Sequence, residues 1–428
     1  MFPVNARAVY IKKEASEDPR SMARIEGMMP FIHCDTAPVV VDDAALERVI
    51  IENDLHNLPN HATDADTIEP IVILNQFLND HSDEERAYRR ESFPELFRSG
   101  PTFDPYSGYG GFDWRKSGSE DYRQQTGLIC QPAYAIHSIW GCHFRCNYCG
   151  LGGVANVYVN LEDWIDHVRD GLDHLRNSPN QRLFQWDNGT DIVCWEPEYG
   201  ATKMLVDLFA EQTDKYLELY VGKSDYVDYL LEYDHRGHTT CCWSLGTETQ
   251  CREVEKRTAS MQTRIESARK CQQAGYGVRI RLSPMVPLVG WEDETRHMLR
   301  QLFSAVTPEV VTIEPLRFHT HEQLLAGFPE GSLDQEFVDS MLTIPDDARG
   351  EDKRNFPDEY RVRMYRVVLE EIEKLSPRTP VAFCREKRTV WESLHAHFDR
   401  MGQYPDDFVC NCGPKSAGAG ARLVTVGA

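Results

Sequence analysis

Short β-prone runs alternate with amphipathic helical segments from residue 133 onward. The first run covers residues 133–140. In the segment after it, residues 161–175, Leu, Trp, Ile and Val recur at helical spacing, and Asn160 is placed to cap the helix. Further strands are predicted at 183–186, 217–221, 239–245, 278–282 and 310–316, and further helices near 203–211, 225–233, 260–274 and 293–305.

Six strand–helix units in about 185 residues predict an α/β fold with a parallel sheet and right-handed crossovers. Such a series forms either an open doubly wound sheet or an incomplete barrel. We expect a partial (β/α)6 barrel with N-terminal and C-terminal extensions. In both architectures the chemistry belongs at the carboxyl ends of the strands.

The flanking segments have a different character. Residues 1–129 are rich in Pro, Asp, Asn and His, and we interpret them as an arm or insertion that covers the barrel, with a loop-like stretch at 101–118. Residues 130–320 would form the barrel. Residues 321–412 would form a C-terminal α/β extension, with a last strand at 380–384. The Gly/Ala-rich residues 413–428 predict a frayed tail.

Charge and composition narrow the classes of function. The chain of 428 residues carries 46 Lys and Arg against 68 Asp and Glu, a formal net charge of −22, which disfavours duplex DNA as a partner. It contains no apolar run long enough for a membrane span, and its start lacks the apolar segment of an export signal. We therefore expect a cytoplasmic protein. Its 13 cysteines then indicate thiol chemistry, metal binding or packing rather than disulfides.

The main chemical signal is a cysteine triplet, Cys142, Cys146 and Cys149, directly after the first predicted strand. Its C-x3-C-x2-C spacing can bring three thiolates to one soft metal centre. Three ligands would leave one iron of a [4Fe–4S] cluster open to chelate S-adenosylmethionine. The alternatives to a cluster are a zinc site completed by His137 or His143, or simply three buried thiols.

The triplet, with Tyr148 just before its third cysteine, resembles the radical S-adenosylmethionine superfamily. The resemblance implies an enzyme that cleaves S-adenosylmethionine reductively at the cluster. It implies a 5′-deoxyadenosyl radical that abstracts hydrogen from a substrate. It also implies an electron donor such as flavodoxin or ferredoxin.

A closer resemblance is to the spore photoproduct lyase family. Residues 157–162, 190–193 and 275–276 match it in order, as do Lys223 and Ser244, while residues 9–11 match it weakly. Carried over by position, the resemblance implies that Cys142, Cys146 and Cys149 hold the cluster and that Thr190, Lys223 and Ser244 contact S-adenosylmethionine. The alternatives are that Thr190 and Ser244 carry ordinary strand-end hydroxyls and that Lys223 is a solvated surface lysine.

Two departures from that family concern the hydrogen-atom donor. Asn188 stands where the family has its hydrogen-donating cysteine, and Gly150 stands where it has a relay tyrosine. An amide cannot replace a thiol as a hydrogen-atom donor, so the sequence argues against transfer of the repair chemistry. Asn188 becomes the first candidate for substrate contact, and Tyr148 is retained as a candidate catalytic residue.

Two further groups lie outside the triplet. A second cysteine group consists of Cys384, Cys410 and Cys412. Three interpretations of it are open, namely a second cluster, a catalytic thiol site or simply buried thiols. Glu314 follows the sixth strand and would either face the substrate or form an ion pair with Arg317.

The sequence thus supports a radical S-adenosylmethionine enzyme acting on a small-molecule or nucleotide-like substrate. A DNA photoproduct lyase with a relocated hydrogen donor is the first alternative. A non-catalytic iron–sulfur or zinc protein is the second.

Overall fold

The computed structural model describes residues 1–57, 69–98, 106–115, 120–131, 133–149, 151, 153–177, 182–187, 189–348, 354 and 356–413. The strands are β1 Val4–Asn5, β2 Ala8–Lys12, β3 Ile32–His33, β4 Val39–Val41, β5 Ile71–Asn75, β6 Phe112–Arg115, β7 Leu128–Ile129, β8 Ala133–Ile136, β9 Ile139–Trp140, β10 Arg145–Cys146, β11 Val154–Tyr158, β12 Leu183–Trp186, β13 Tyr216–Gly222, β14 Thr239–Ser244, β15 Glu255–Lys256, β16 Gly277–Met285, β17 Val311–Pro315, β18 Val381–Phe383 and β19 Glu386–Lys387. The helices are α1 Lys13–Glu17, α2 Pro19–Met28, α3 Asp43–Glu52, α4 Asp83–Ser92, α5 Glu120–Thr126, α6 Leu161–His174, α7 Ala201–Ala210, α8 Met261–Gln273, α9 Trp291–Ala305, α10 His321–Gly327, α11 Gln335–Met341, α12 Asp358–Leu375, α13 Arg388–Ser393 and α14 His395–Met401.

The main sheet has the strand order β18-β17-β16-β14-β13-β12-β8-β6. Every neighbouring pair is parallel except β6 with β8. The α/β prediction is therefore confirmed, and β18 extends the predicted parallel series by one strand. The stretch predicted to be loop-like at 101–118 contributes the antiparallel edge strand β6.

A second sheet, of order β4-β2-β5-β11-β9, lies alongside the first. The single strand predicted at 133–140 is in fact two strands, β8 in the main sheet and β9 in this one. Strand β11, which follows the cysteine triplet, pairs in parallel with β5 of the N-terminal segment. The division of the chain into domains remains a prediction.

One face of the main sheet is polar, and we call it the inner face. Asn411 Nδ2 donates to Cys242 Sγ there at 3.1 Å, and Tyr220 Oη lies 3.2 Å from Ser244 Oγ. On the opposite face of β14, Cys241 contacts Cys271 of α8. The adjacent cysteines 241 and 242 therefore face opposite ways, as strand geometry requires.

A short antiparallel ladder joins the two ends of the main sheet. Strand β7 leads into β8 near one edge, and β19 follows β18 at the other edge. They pair with each other through Ile129↔Glu386 and Leu128↔Lys387. This ladder brings chain segments that are distant in sequence to one place.

Among the described residues, no helix is long and apolar enough to cross a membrane.

The second sheet contains a partly buried ion cluster that gives a first prediction. Asp43 accepts hydrogen bonds from Lys12 at 2.6 Å and from Arg89 Nε at 2.7 Å. Burial opposes ionisation, but these two cations lower the pKa of Asp43 from 3.8 to about 2. Its contribution to stability is therefore complete above pH 4 and is lost as the pH falls toward 2.

We expect Asp43→Asn to lower the free energy of unfolding by about 2 kcal/mol at pH 7 and to leave it nearly unchanged near pH 2. Urea denaturation across this pH range measures both effects. Asp166→Asn, which breaks an exposed i,i+3 pair with Arg169, is the control and should cost less than about 0.5 kcal/mol. Equal losses in both variants at pH 7 would contradict the assignment.

Candidate metal and cofactor site

The cysteine triplet lies on a loop between β9 and β11 that backbone contacts hold firmly. Cys142 N donates to Leu151 O at 2.8 Å, and Asn147 N donates to Val254 O at 2.9 Å. Gly141 has φ 96°, and a Cβ there would come within 1.9 Å of Val154 O, so only glycine fits. Within the loop, β10 pairs with β15. The positions of the three cysteines are therefore set by the fold.

The three thiols lie close together in a largely buried environment. Cys146 is buried, and Cys142 and Cys149 are half-buried. Burial, with the nearby Asp191 and Cys149, raises the pKa of Cys142 to about 12. Burial likewise raises the pKa of Cys146 and Cys149. Within the described part of the chain, no three Cys, His, Asp or Glu side chains adopt a ligating arrangement, so a metal would have to draw these thiols together.

Lys223 directs its positive charge at this triplet. It follows β13, and its backbone N donates to the buried Asp191 Oδ2 at 2.6 Å. Burial works against its charged form, yet Glu255 and Cys146 raise the pKa of Lys223 above its usual value. The Lys223 charge in turn lowers the pKa of all three cysteines, opposing the effect of their burial. In the described structure its Nζ makes no hydrogen bond or ion pair, only a contact 5.7 Å from the Tyr148 ring.

Thr190 and Ser244 flank the same region. The Thr190 hydroxyl is buried, with no hydrogen-bond partner in the described part of the chain. Ser244 ends β14, and its hydroxyl meets that of Tyr220, whose negative charge would also raise the pKa of Lys223. The structure thus places the predicted S-adenosylmethionine contacts at the ends of successive strands around the triplet.

Tyr148 belongs to a buried charged network. Its hydroxyl donates to Glu255, which also pairs with Arg264 at 2.7 Å and accepts from Gln250 Nε2 at 2.9 Å. Despite burial, the charges of Arg264 and Lys223 lower the pKa of Glu255 to about 2. Glu255 therefore stays ionised and fixes the orientation of Tyr148 beside the thiols.

The Glu255–Arg264 pair gives a second prediction. Both side chains are fully buried, so Glu255→Gln leaves the Arg264 charge without its counterion. We expect a loss of about 3 kcal/mol in the free energy of unfolding, measured by thermal and urea denaturation. Glu266→Gln breaks a solvent-exposed Glu–Arg pair with Arg269 and should have a far smaller effect. A similarly small effect at Glu255 would show that the pair is not a structural support.

Glu314 lies farther along the inner face and forms an ion pair with Arg317. It also accepts a hydrogen bond from Ser283 Oγ at 2.8 Å and lies 3.5 Å from Arg281 Nη2. Arg281 in turn lies over the Tyr220 ring at 5.2 Å, so a continuous polar surface connects Glu314 with the triplet region. The ion-pair interpretation accounts for Glu314, and its catalytic role remains a prediction.

The remaining candidates that the structure describes are not part of this group. Cys410 and Cys412 line a separate pocket with Cys384. Asn188 and Gly150, the two positions of departure, lie outside the described residues. Of the alternative zinc ligands, His137 Nδ1 is 2.6 Å from Asp187 Oδ1, and the His143 ring lies 4.7 Å from the Phe144 ring, tilted by 50°.

The family of the chain follows from a match over its central half. Residues 130–351, more than half of the sequence, match the family model for spore photoproduct lyase. The chain belongs to the spore photoproduct lyase family. The resemblance read from the cysteine triplet and the strand-end residues is thereby confirmed.

Family relatives match only part of their own length. The spore photoproduct lyase of Bacillus subtilis (strain 168) is 28% identical over 183 residues, 41% of this chain and 53% of the relative. That of Clostridium acetobutylicum is 26% identical over 216 residues, 48% of this chain and 63% of the relative. The matched region therefore spans about half to two thirds of these family members.

Solved family structures share the fold. A spore photoproduct lyase complexed with dinucleoside spore photoproduct is 19% identical, with a TM-score of 0.58 over 89% of this chain and 99% of that one. A variant with bound AdoMet and the same dinucleoside is 18% identical with the same TM-score, over 89% of this chain and 98% of that one. The partial-barrel prediction is confirmed by this similarity.

Several residues of the site were missed in the sequence. Asp191 was visible within the matched segment 190–193, but its buried contact with Lys223 was not. Glu255 lies in a segment with no recognisable motif, and only the β10–β15 pairing brings it to Tyr148. Cys130 is an isolated cysteine at the first residue of the predicted barrel, and no spacing rule connects it to the C-terminal thiols.

Proposed function

We propose that this protein is a radical S-adenosylmethionine enzyme acting on a small-molecule or nucleotide-like substrate. When bound, the reduced [4Fe–4S] cluster would supply one electron that cleaves S-adenosylmethionine to a 5′-deoxyadenosyl radical, which abstracts hydrogen from the substrate. Family membership and the AdoMet bound to a solved relative support the choice of both groups.

The three thiols suit the cluster. Cys142, Cys146 and Cys149 would be its ligands, since they lie on one loop fixed at both ends and share one buried environment. Their raised pKa values mean that they are protonated before the metal binds, so cluster assembly would release protons. Three ligands leave one iron without a protein ligand.

The observation that carries the proposal is the Lys223 ammonium beside the triplet. A half-buried cation without an ion pair in the described structure fits an anionic ligand, and the methionyl carboxylate is such a group. The Thr190 hydroxyl, also without a partner in that part of the chain, can donate to a ligand oxygen. Ser244 would supply the third contact.

The polar inner face supports a substrate rich in hydrogen-bonding groups. Tyr220, Arg281 and Glu314 extend from the triplet region along this face, and Asn188 follows β12 in the sequence. These residues would orient the substrate, with Tyr148 held beside the thiols by Glu255. An electron donor such as flavodoxin or ferredoxin would reduce the cluster.

The test is the formation of 5′-deoxyadenosine by anaerobically purified protein given dithionite and S-adenosylmethionine. We expect a brown protein with about four iron and four sulfide for the first site that forms this product. Transfer of deuterium from labelled candidate substrates into 5′-deoxyadenosine then identifies the substrate. A cluster-loaded protein that forms none would refute the proposal and favour the non-catalytic alternative.

A second candidate, repair of a DNA photoproduct with a relocated hydrogen donor, is favoured by the family match and by the dinucleoside ligand of solved relatives. The net charge of −22 and the residues at 188 and 150 oppose it. Incubation of the reduced enzyme with dinucleoside spore photoproduct decides between the two. Release of thymidine units supports repair, and 5′-deoxyadenosine formation without their release supports the first candidate.

A further inference from the structure

Four cysteines from three stretches of the chain meet where the ends of the main sheet are joined. Cys130 follows β7, Cys384 follows β18, and Cys410 and Cys412 lie in the C-terminal segment. All four line one enclosed pocket, together with Arg281. The sequence pointed to three of these cysteines, and the β7–β19 ladder adds the fourth.

Hydrogen bonds that do not involve the thiols hold these segments in place. Cys384 N donates to Ile313 O at 2.9 Å. Gln131, next to Cys130, donates from Nε2 to Phe408 O at 2.9 Å and so ties the β7 segment to the C-terminal segment. The fold therefore keeps the four side chains at one pocket independently of any contact between their sulfur atoms.

The thiols interact with one another. Hydrogen bonding with Cys412, together with burial, raises the pKa of Cys410 well above its usual value. Burial raises the pKa of Cys384 to about 12, with smaller contributions from Glu314 and Cys130. The Cys130 charge acts on Cys410 as well. Four cysteine side chains lining one pocket are a set of soft ligands that a metal could use.

Arg281 provides a second, independent sign of a ligand. It is only 8% exposed, and its Nε has no hydrogen-bond partner among the described residues. Burial disfavours its charge, yet Tyr220, Cys384, Glu314 and Cys412 raise its pKa. A buried guanidinium with an unused donor beside four thiols is suited to an anionic centre.

We propose that Cys130, Cys384, Cys410 and Cys412 form a second metal site, with four thiolate ligands for a soft metal centre and Arg281 as its charge partner. Four thiolates around Zn²⁺ or a [4Fe–4S] cluster carry a net negative charge, which the guanidinium offsets. Ligation requires the thiol groups to turn toward one another within the pocket. The bound metal would link both ends of the main sheet to the C-terminal segment. This site does not depend on the proposed function.

Metal analysis in a background without the first site tests the proposal. The triple variant Cys142→Ala, Cys146→Ala and Cys149→Ala removes the first set of ligands. We expect this anaerobically purified variant to retain either about one zinc or about four iron with sulfide per chain, and the two results distinguish a single ion from a cluster. Adding Cys130→Ser or Cys412→Ser should remove that metal. Adding Cys34→Ser, at a half-buried cysteine away from both sites, should not.

If the serine variants do not fold, the folded triple variant is tested directly by alkylation and by Co²⁺ binding. Cys130, Cys384, Cys410 and Cys412 should resist alkylation until a chelator is added, and Co²⁺ should then restore protection and give the visible absorption of a thiolate-bound ion. A triple variant that holds no metal and takes up neither Zn²⁺ nor Co²⁺ would overturn the proposal. A disulfide between Cys410 and Cys412 in the purified protein would also overturn it.

Discussion

Replacing Cys142, Cys146 or Cys149 singly with alanine is expected to abolish 5′-deoxyadenosine formation. A cluster held by two protein ligands is less stable, and its geometry no longer presents a single open iron beside Lys223. We expect at least about a 1,000-fold loss of product, since the electron that cleaves S-adenosylmethionine would come from the intact cluster of the first site. Iron and sulfide analysis of anaerobically purified protein, with chromatographic detection of 5′-deoxyadenosine, measures both consequences.

Cys194→Ser is the matched control for these variants. Cys194 is also a buried cysteine near the triplet, and its thiol donates to Asp191 at 3.3 Å, but it lies outside the predicted ligand set. It should keep the iron content of the first site and most of its product formation. If an alanine variant of the triplet formed the product at the wild-type rate, the first site could not be the cluster site.

The sequence was most informative about the main sheet, because most of its strands are short apolar runs followed by a periodic helix. The helix predicted at 161–175 is observed as α6, Leu161–His174, with its apolar residues buried. The second sheet was not predicted. Its strands β2, β4 and β5 are separated by segments rich in polar residues, and β11 pairs with β5 across a long sequence separation. Local patterning does not report such pairings.

The triplet and the strand-end residues were predictable because their chemistry depends on local spacing or on position after a strand. Glu255 and Cys130 were not. Each acquires its partners only when a two-residue strand pairs with a distant one, β15 with β10 and β7 with β19. A pairing so short leaves no alternating pattern in the sequence. Glu255 and Cys130, which belong to the surroundings of the two proposed metal sites, are therefore residues that only the folded chain could reveal.

Lys223→Met is expected to separate cofactor binding from cluster assembly. Methionine retains most of the apolar length of the lysine side chain but removes the charge that would face the methionyl carboxylate. Loss of one partner of a buried charged contact costs about 3 kcal/mol, or about a 100-fold loss of affinity. We expect S-adenosylmethionine to bind about 100-fold more weakly, while the iron and sulfide content of the first site stays at the wild-type level.

Titration of S-adenosylmethionine against 5′-deoxyadenosine formation measures this effect. The expected result is a raised KM that high S-adenosylmethionine partly overcomes, with Lys223→Arg intermediate because it keeps the charge but changes its geometry. Lys203→Met, which removes an exposed lysine paired with Asp207 on α7, should leave KM unchanged. A Lys223→Met enzyme that lost its iron would instead assign this lysine to the stability of the triplet, because its positive charge favours the three thiolates.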